Sequence, residues 1–211
     1  NIDKWNNEKR WPREASDKAG AIGLAGLYAP EEWGGQGLPL SEGIQVYEQL
    51  GLGDGAYAFA LSMHNICTFA ACGYGTDAFK QTWAKELTSG KKLANFALTE
   101  PQSGSDPMKM HSRANINDNG TLTISGSKAW VSLANEADFY FTVVKTTDIP
   151  GYKDMSMVAI PKEAEGLSFG PMYDTPSYNY LPMSEMYMNN VVVDKSNIIL
   201  PIGQGFQGSL M

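Results

Sequence analysis

The residue pattern of the chain changes once, near residue 93, and this change limits the possible folds more than any other feature. Before it, apolar residues follow helical spacing, as in the almost entirely small or apolar segment 57–72. After it, short runs of β-branched and aromatic residues are separated by Gly, Pro, Asn and Asp, which is typical of strands and turns. We therefore predict an α+β fold with an all-α helical domain (1–93) and a small antiparallel β-barrel or sandwich (94–200). The last residues, 201–211, look like the entry to a new helix.

Individual elements follow from local signals. Helices are predicted over 41–50, 57–72 and 76–87, with Thr76 as the N-cap of the last. The Asn119-Gly120 pair lies between two alternating runs and predicts a β-hairpin. The predicted strands are 95–99, 112–117, 121–125, 137–145, 155–161, 167–170, 183–188 and 191–193.

Composition excludes several classes of protein. Sixteen Lys and Arg against 23 Asp and Glu give a net charge of -7, and the longest basic run is Lys91-Lys92, so nucleic acid is not an expected partner. No apolar run approaches the roughly 20 residues needed to cross a bilayer, which predicts a soluble protein without a membrane span. The only cysteines, Cys67 and Cys72, fall on different faces of a predicted helix, which argues against a disulfide or a shared metal and favours a reducing compartment.

The most specific motif covers residues 96–106, where a predicted strand runs into a turn rich in Pro, Gly and Ser. It resembles the A-x-T-E-P-x-x-G-S-D signature of acyl-CoA dehydrogenases. Such a strand end can offer backbone groups to the polar edge of a flavin, with hydroxyls from Thr99 and Ser105 as further donors. The resemblance implies two sets of contacts: Phe96, Leu98 and Thr99 on the flavin ring system, and Gly104 and Ser105 toward the pyrophosphate and the pantetheine of a thioester substrate, with Ser105 also binding substrate.

A second motif, residues 125–132, resembles the N-G-x-K-x-W-I-[TS] signature of the same family. Trp130 supplies a broad apolar surface, and simple strand alternation would place the Ser132 hydroxyl on the same face. A core tryptophan would explain this motif in isolation, but it follows the first by about thirty residues, as in the family. The resemblance implies that Trp130, Val131 and Ser132 flank the flavin near its reactive N5, with Ser132 donating a hydrogen bond.

Two further segments match the family, and one departs from it. Residues 28–38 resemble its P-E-x-x-G-G-x-G loop, which we interpret as structural because it follows no strand and lacks a P-loop lysine. Residues 191–206 resemble the stretch that leaves the β-domain, which implies that residues 201–211 start a further helical domain. Residues 171–182 differ from the turn that the family usually has before its acidic strand residue, here Glu185, which indicates a difference in substrate specificity.

Several chemically capable residues are given structural interpretations. His64 matches a position where the family often has histidine, but in an apolar helix a buried, hydrogen-bonded histidine is the better prediction. His111 is expected to be exposed in a linker. Met183, Met186 and Met188 are expected to fill the core and not to line an acyl pocket. Neither Glu100 nor Asp106, the two acids of the first motif, is assigned as a catalytic base, because the resemblance implies structural roles for them.

The resemblance extends from about Trp11 to the end of the chain and implies an FAD enzyme that dehydrogenates an acyl-CoA thioester. In the family, a carboxylate removes the α-proton while a hydride leaves the β-carbon for flavin N5, and the electrons pass to an electron-transfer flavoprotein. The usual glutamate base lies in a C-terminal helical domain with no counterpart here, so we expect a fragment that is inactive alone. The resemblance also implies a homotetramer or dimer, in the cytoplasm or, in a eukaryote, the mitochondrial matrix.

Two alternatives stay open at this point. An acyl-CoA oxidase or a flavin monooxygenase could use the same architecture, and the reactivity of the reduced flavin with oxygen would separate them from a dehydrogenase. A non-catalytic relative could keep the scaffold for partner or DNA-repair interactions, and failure to retain FAD would favour it.

Overall fold

The computed structural model describes residues 2–149 and 151–205, in which a helical part packs against a seven-stranded sheet. The helices are α1 (Ile2–Glu8), α2 (Arg13–Ala21), α3 (Leu40–Gly53), α4 (Gly55–Tyr74) and α5 (Asp77–Thr88). The strands are β1 (Ala94–Ala97), β2 (Arg113–Ile116), β3 (Thr121–Ser132), β4 (Phe139–Lys145), β5 (Met155–Pro161), β6 (Leu167–Phe169) and β7 (Met183–Asp194). The predicted fold class, helices followed by a β-rich half, is confirmed.

The helices begin and end where local chemistry favours it. Asp54 caps α4 by accepting a hydrogen bond from the backbone N–H of Tyr57, and Thr76 caps α5 in the same way toward Phe79, as predicted for Thr76. Cys67 and Cys72 are both buried and free on α4. None of the helices in the described ranges is both long and apolar enough to cross a bilayer.

The sheet is mixed rather than purely antiparallel. Its order is β1-β4-β2-β3-β7-β6, with β5 paired along the whole of β4. Strand β4 runs parallel to β1 and, at a single residue pair, to β2, whereas the remaining pairings are antiparallel. Parallel neighbours need a long connection, and here the β2–β3 hairpin lies within the connection from β1 to β4.

Two positions in the sheet illustrate how local sequence affects the strands and their turns. The predicted Asn-Gly hairpin is confirmed: Gly120 has φ +82° and the backbone N–H of Asn117 donates to the carbonyl of Thr121 at 2.9 Å. The two strands predicted at 183–188 and 191–193 are one strand, β7. Asn190 takes a left-handed conformation there without ending the strand, opposite an irregularity beside Gly126 in β3.

The helical and β parts meet along α4 and β1, and Asp138 links them further. Its carboxylate accepts hydrogen bonds from Arg13 at 2.9 Å, from Lys92 at 3.0 Å and from the backbone N–H of Leu93 at 2.8 Å. Arg13 belongs to α2, and Asp138 directly precedes β4. These contacts hold the start of the sheet against the helices.

Candidate functional site

The two predicted flavin motifs lie side by side. The backbone N–H of Ala129, in β3, donates to the carbonyl of Thr99, just past the end of β1, at 2.8 Å. The residues implied by the resemblance therefore belong to two adjacent segments, 96–105 and 130–132. We refer to these as the flavin segments.

A buried ion pair joins the two flavin segments. Lys128 Nζ lies 2.8 Å from Glu100 Oε1, and the two side chains are 0% and 1% exposed. Lys128 also donates to the carbonyl of Leu98 at 3.1 Å. The Glu100 carboxylate accepts further hydrogen bonds from the backbone N–H groups of His111 (2.6 Å) and Ser112 (3.0 Å). Both buried charges are thus hydrogen-bonded, as buried ions must be.

The charge states of this pair follow from its surroundings. Burial lowers the pKa of Lys128 to about 8, although the charge of Glu100 opposes this shift. Burial alone would raise the pKa of Glu100, but the Lys128 charge and the His111 N–H bring it down to about 2. Both groups are charged at neutral pH. Sequence reasoning missed the pair, although each partner stands inside one of the two motifs.

Trp130 occupies a β-bulge. Lys128 pairs with Met186 and Val131 with Ser184, so β3 carries one more residue than β7 across this interval. Trp130 itself has φ +58°, which is uncommon for a bulky residue, and it is 60% exposed. The bulge therefore turns the indole out of the sheet.

The bulge also changes the predicted relation between Trp130 and Ser132. Simple alternation would place both side chains on one face, but Trp130 is exposed whereas Ser132 is 5% exposed and Val131 is buried. The extra residue breaks the two-residue period, so that argument does not apply across the bulge. The remaining predicted contacts are accessible: Phe96, Leu98 and Thr99 are half-buried, and Gly104 and Ser105 are exposed.

Backbone hydrogen bonds close a turn inside the first flavin segment. Glu100 and Ser103 exchange two backbone hydrogen bonds of 2.9 and 3.0 Å, and Asp106 accepts from the N–H of Met108 at 3.2 Å. Gly104 directly follows this turn, and apart from its two chain neighbours no atom lies within 4 Å of the position that a Cβ would take. The backbone at Gly104 is thus open to a ligand.

His64 has the structural role that we predicted. Its Nδ1 accepts from the backbone N–H of Ala94 at 3.0 Å, which leaves the ring proton on Nε2 to donate to the carbonyl of Leu87 at 3.0 Å. Burial lowers the pKa of His64 to about 4, so the ring is neutral. It joins α4, α5 and β1, while His111 is exposed as expected.

The other structural interpretations also agree with the structure. In the Gly-rich loop, a Cβ on Gly35 would lie 2.0 Å from the carbonyl oxygen of Ala29, so this glycine serves close backbone packing. The methionines fill the core as predicted, because Met186 and Met188 are buried and Met183 packs against the same cluster.

An apolar cavity of about 430 Å³ lies on the helical side of the molecule. Its walls include Ala70 and Leu200, which belong to the hydrophobic cluster against which Phe96 and Leu98 pack. None of the predicted flavin contacts lines this cavity. The flavin segments therefore lie outside this cavity.

Comparison with known families gives two matches that together cover most of the chain. Residues 1–91 match the family described as "Acyl-CoA dehydrogenase, N-terminal domain", and residues 95–191 match "Acyl-CoA dehydrogenase, middle domain". Similar curated proteins include the mitochondrial isobutyryl-CoA dehydrogenase of Dictyostelium discoideum, 31% identical over 97% of this chain and 49% of that protein. The glutaryl-CoA dehydrogenase of Desulfococcus multivorans is 32% identical over 96% of this chain and 53% of its own length.

Solved structures show the same fold. A solved structure described as the electron transferring flavoprotein of Acidaminococcus fermentans contains a chain that superposes with a TM-score of 0.91 at 27% identity. The match covers 99% of this chain and 55% of that one. A structure titled as the FAD complex of PigA gives a TM-score of 0.90 at 28% identity, over 96% of this chain and 53% of that one. The chain spans about half the length of the curated relatives that it matches.

Proposed function

Because the chain belongs to the acyl-CoA dehydrogenase family, we propose that the whole protein catalyses FAD-dependent α,β-dehydrogenation of an acyl-CoA thioester and passes the electrons to an electron-transfer flavoprotein. In this proposal the described residues hold the flavin and one side of the thioester. Similar solved structures include one of an electron transferring flavoprotein and one of an FAD complex, which supports the choice of partner and cofactor.

The observation that carries the proposal is the position of Trp130. A large aromatic side chain that is 60% exposed, in a left-handed conformation, is costly unless something uses it. A flat apolar ring beside a strand end that carries the Thr99 hydroxyl suits a planar, partly polar heterocycle. The flavin segments therefore fit an isoalloxazine ring.

The residues that would hold FAD are those of the flavin segments. Trp130 would cover the ring, with Val131 and Ser132 alongside it near N5. Phe96, Leu98 and Thr99 would contact the ring from the other segment, and Gly104 and Ser105 would face the pyrophosphate and the pantetheine. When bound, FAD supplies the hydride acceptor. The Glu100–Lys128 pair acts by fixing the distance between the two segments.

The acids beside the flavin segments already have other partners. Glu100 is paired with Lys128, Asp106 caps the turn toward Met108, and Glu185 accepts a hydrogen bond from the Tyr187 hydroxyl. A general base must be close to the proton that it removes and able to accept it. We therefore propose that the catalytic carboxylate lies outside these 211 residues and that the chain alone does not turn over.

The remaining parts of the proposal follow the family. We propose a homo-oligomer, tetramer or dimer, acting in fatty-acid metabolism in the cytoplasm or, in a eukaryote, in the mitochondrial matrix. The mitochondrial isobutyryl-CoA dehydrogenase among the relatives supports the second location.

The first test uses the full-length protein. We expect flavin absorption bands that bleach when one of a small panel of acyl-CoA thioesters is added without oxygen. A flavin-free protein would contradict the proposal and favour a non-catalytic role. Slow reoxidation by O₂ supports a dehydrogenase, and fast reoxidation supports an oxidase or monooxygenase.

A second test uses the 211-residue chain with FAD and a dye acceptor. We expect no dehydrogenation of any thioester in the panel, because the three described acids beside the flavin segments already have other partners. Turnover by this chain would show that the base lies within it.

A further inference from the structure

A tyrosine-rich segment connects the flavin segments with the helices. Residues 171–182, which we call the strap, lie between β6 and β7 and depart from the usual family pattern. Three strap tyrosines each contact an aromatic ring elsewhere in the molecule: Tyr173, Tyr178 and Tyr180.

Tyr173 contacts Trp130. The two ring centroids are 4.5 Å apart and the planes are tilted by 52°. The backbone N–H of Tyr173 donates to the carbonyl of Met183 at 2.8 Å, and Met183 pairs with Ser132 across the sheet. Tyr173 is therefore anchored to the strand that borders the same flavin segment.

The other end of the strap is anchored to the helical part. The Tyr178 ring stacks on Phe59 of α4, with centroids 6.4 Å apart and planes 26° from parallel. Tyr180 is 1% exposed, and its ring lies 5.9 Å from Trp5 and 6.1 Å from Trp11. On the N-terminal side of Tyr173, the backbone N–H of Gly170 donates to the carbonyl of Glu185 at 3.0 Å. The chain is thus held on both sides of Tyr173.

Trp130 needs such support more than an ordinary strand residue does. A side chain in a regular strand is held by its cross-strand neighbours, but the bulge removes Trp130 from the paired positions. With 60% of the residue exposed, the indole has rotational freedom unless a neighbour restricts it. A tilted ring on one side restricts the indole and leaves its other face open to a ligand.

We propose that Tyr173 is a positioning residue for the flavin: it holds the Trp130 ring at the angle at which the indole contacts the isoalloxazine ring. This inference rests on the proposed function, since it requires that FAD binds against Trp130. The ring of Tyr173 is the important part, and its hydroxyl is not required.

The test uses the full-length protein with FAD. An aromatic pair contributes roughly 0.5–1.5 kcal/mol, so we expect Tyr173→Leu to weaken FAD binding roughly two- to twelvefold. The same change should alter the visible circular dichroism of the flavin, which reports the geometry around the ring. Tyr173→Phe should restore both. The matched control is Tyr74→Leu, at a 41% exposed tyrosine whose ring contacts Phe69 on α4 and not Trp130, which should leave both unchanged.

A double-mutant cycle shows whether Tyr173 acts through Trp130. In a Trp130→Leu background, Tyr173→Leu should have little further effect on FAD binding. The inference about Tyr173 is overturned if Tyr173→Leu has an equal effect in both backgrounds, or if Tyr173→Leu binds FAD as the control variant does. In either case, FAD binding by the parent protein would still support the proposed function. A parent protein that binds no FAD would overturn both. If Tyr173→Leu does not fold, Tyr173→Met is the substitute variant.

Discussion

Removal of the Lys128 charge should be among the most damaging single changes in the β part. Lys128→Met keeps most of the chain length but leaves the Glu100 carboxylate charged, 1% exposed and without its cation. It also removes the donor to the Leu98 carbonyl. Breaking one partner of a buried pair costs about 3–5 kcal/mol. Since total stabilities are roughly 5–15 kcal/mol, this is a large share of the free energy of unfolding.

Urea unfolding followed by circular dichroism measures this loss, and FAD retention measures its effect on the flavin segments. The matched control is Lys109→Met, because Lys109 Nζ lies 3.5 Å from Asp106 on the same stretch of chain but its side chain is 71% exposed. Exposed pairs contribute at most about 1 kcal/mol. The midpoint for Lys109→Met should therefore stay close to that of the parent.

The double variant Lys128→Met with Glu100→Gln separates lost attraction from an uncompensated charge. If the damage comes mainly from the isolated carboxylate, neutralising it should recover a large part of the stability. The reasoning is refuted if Lys128→Met is as mild as Lys109→Met, or if the double variant loses the sum of the two single losses.

Two other predictions concern stability. Burial lowers the pKa of His64 from 6.5 to about 4, so between these pH values the unfolded chain binds a proton that the folded chain does not. The contribution of His64 to the free energy of unfolding is therefore complete above pH 6.5 and falls by roughly 3 kcal/mol as the pH drops to about 4. His64→Gln should flatten the pH dependence of the unfolding free energy in that window, and an unchanged slope would contradict this. Gly35→Ala should lower stability by roughly 1–3 kcal/mol, because its Cβ would meet the Ala29 carbonyl at 2.0 Å. Gly73→Ala, in α4 with nothing within 4 Å, should raise the melting temperature, and equal melting temperatures for both variants would count against a structural role for the loop.

Local sequence signals predicted well those helices and strands whose bounds depend on neighbouring residues alone. Strand β5 has the predicted bounds, 155–161, because its apolar run is short and bounded by turns. Helix α3 extends to Gly53, beyond the predicted end at 50, since Gly51 and Gly53 do not break a helix that continues to the cap at Asp54. The parallel pairing of β1 with β4 was not predicted, because it depends on a contact between residues about 45 positions apart.

Sequence motifs identify the candidate site by residue type, but they do not give its geometry. Thr99 and Trp130 stand in recognisable motifs, and the structure brings their segments together. Lys128 also stands in a motif, but a lysine in a strand usually indicates a solvent-facing position, so its burial could not be predicted. The contact of Trp130 with Tyr173 depends on a bulge and on a strap that no local pattern describes.

Three features that each oppose stability occur together at the junction of β1 and β3. These are a buried ion pair, a tryptophan with positive φ, and a large exposed indole. Strained and unusual residues of this kind persist where the surrounding structure holds them firmly, and they gather at functional sites. Here the firm support is visible: the ion pair connects residues 28 positions apart, and the strap holds the indole from outside the sheet. A rigid surface that keeps a ring and a strand end at a constant distance is what a planar cofactor needs, because small displacements of its reactive atom reduce the rate sharply.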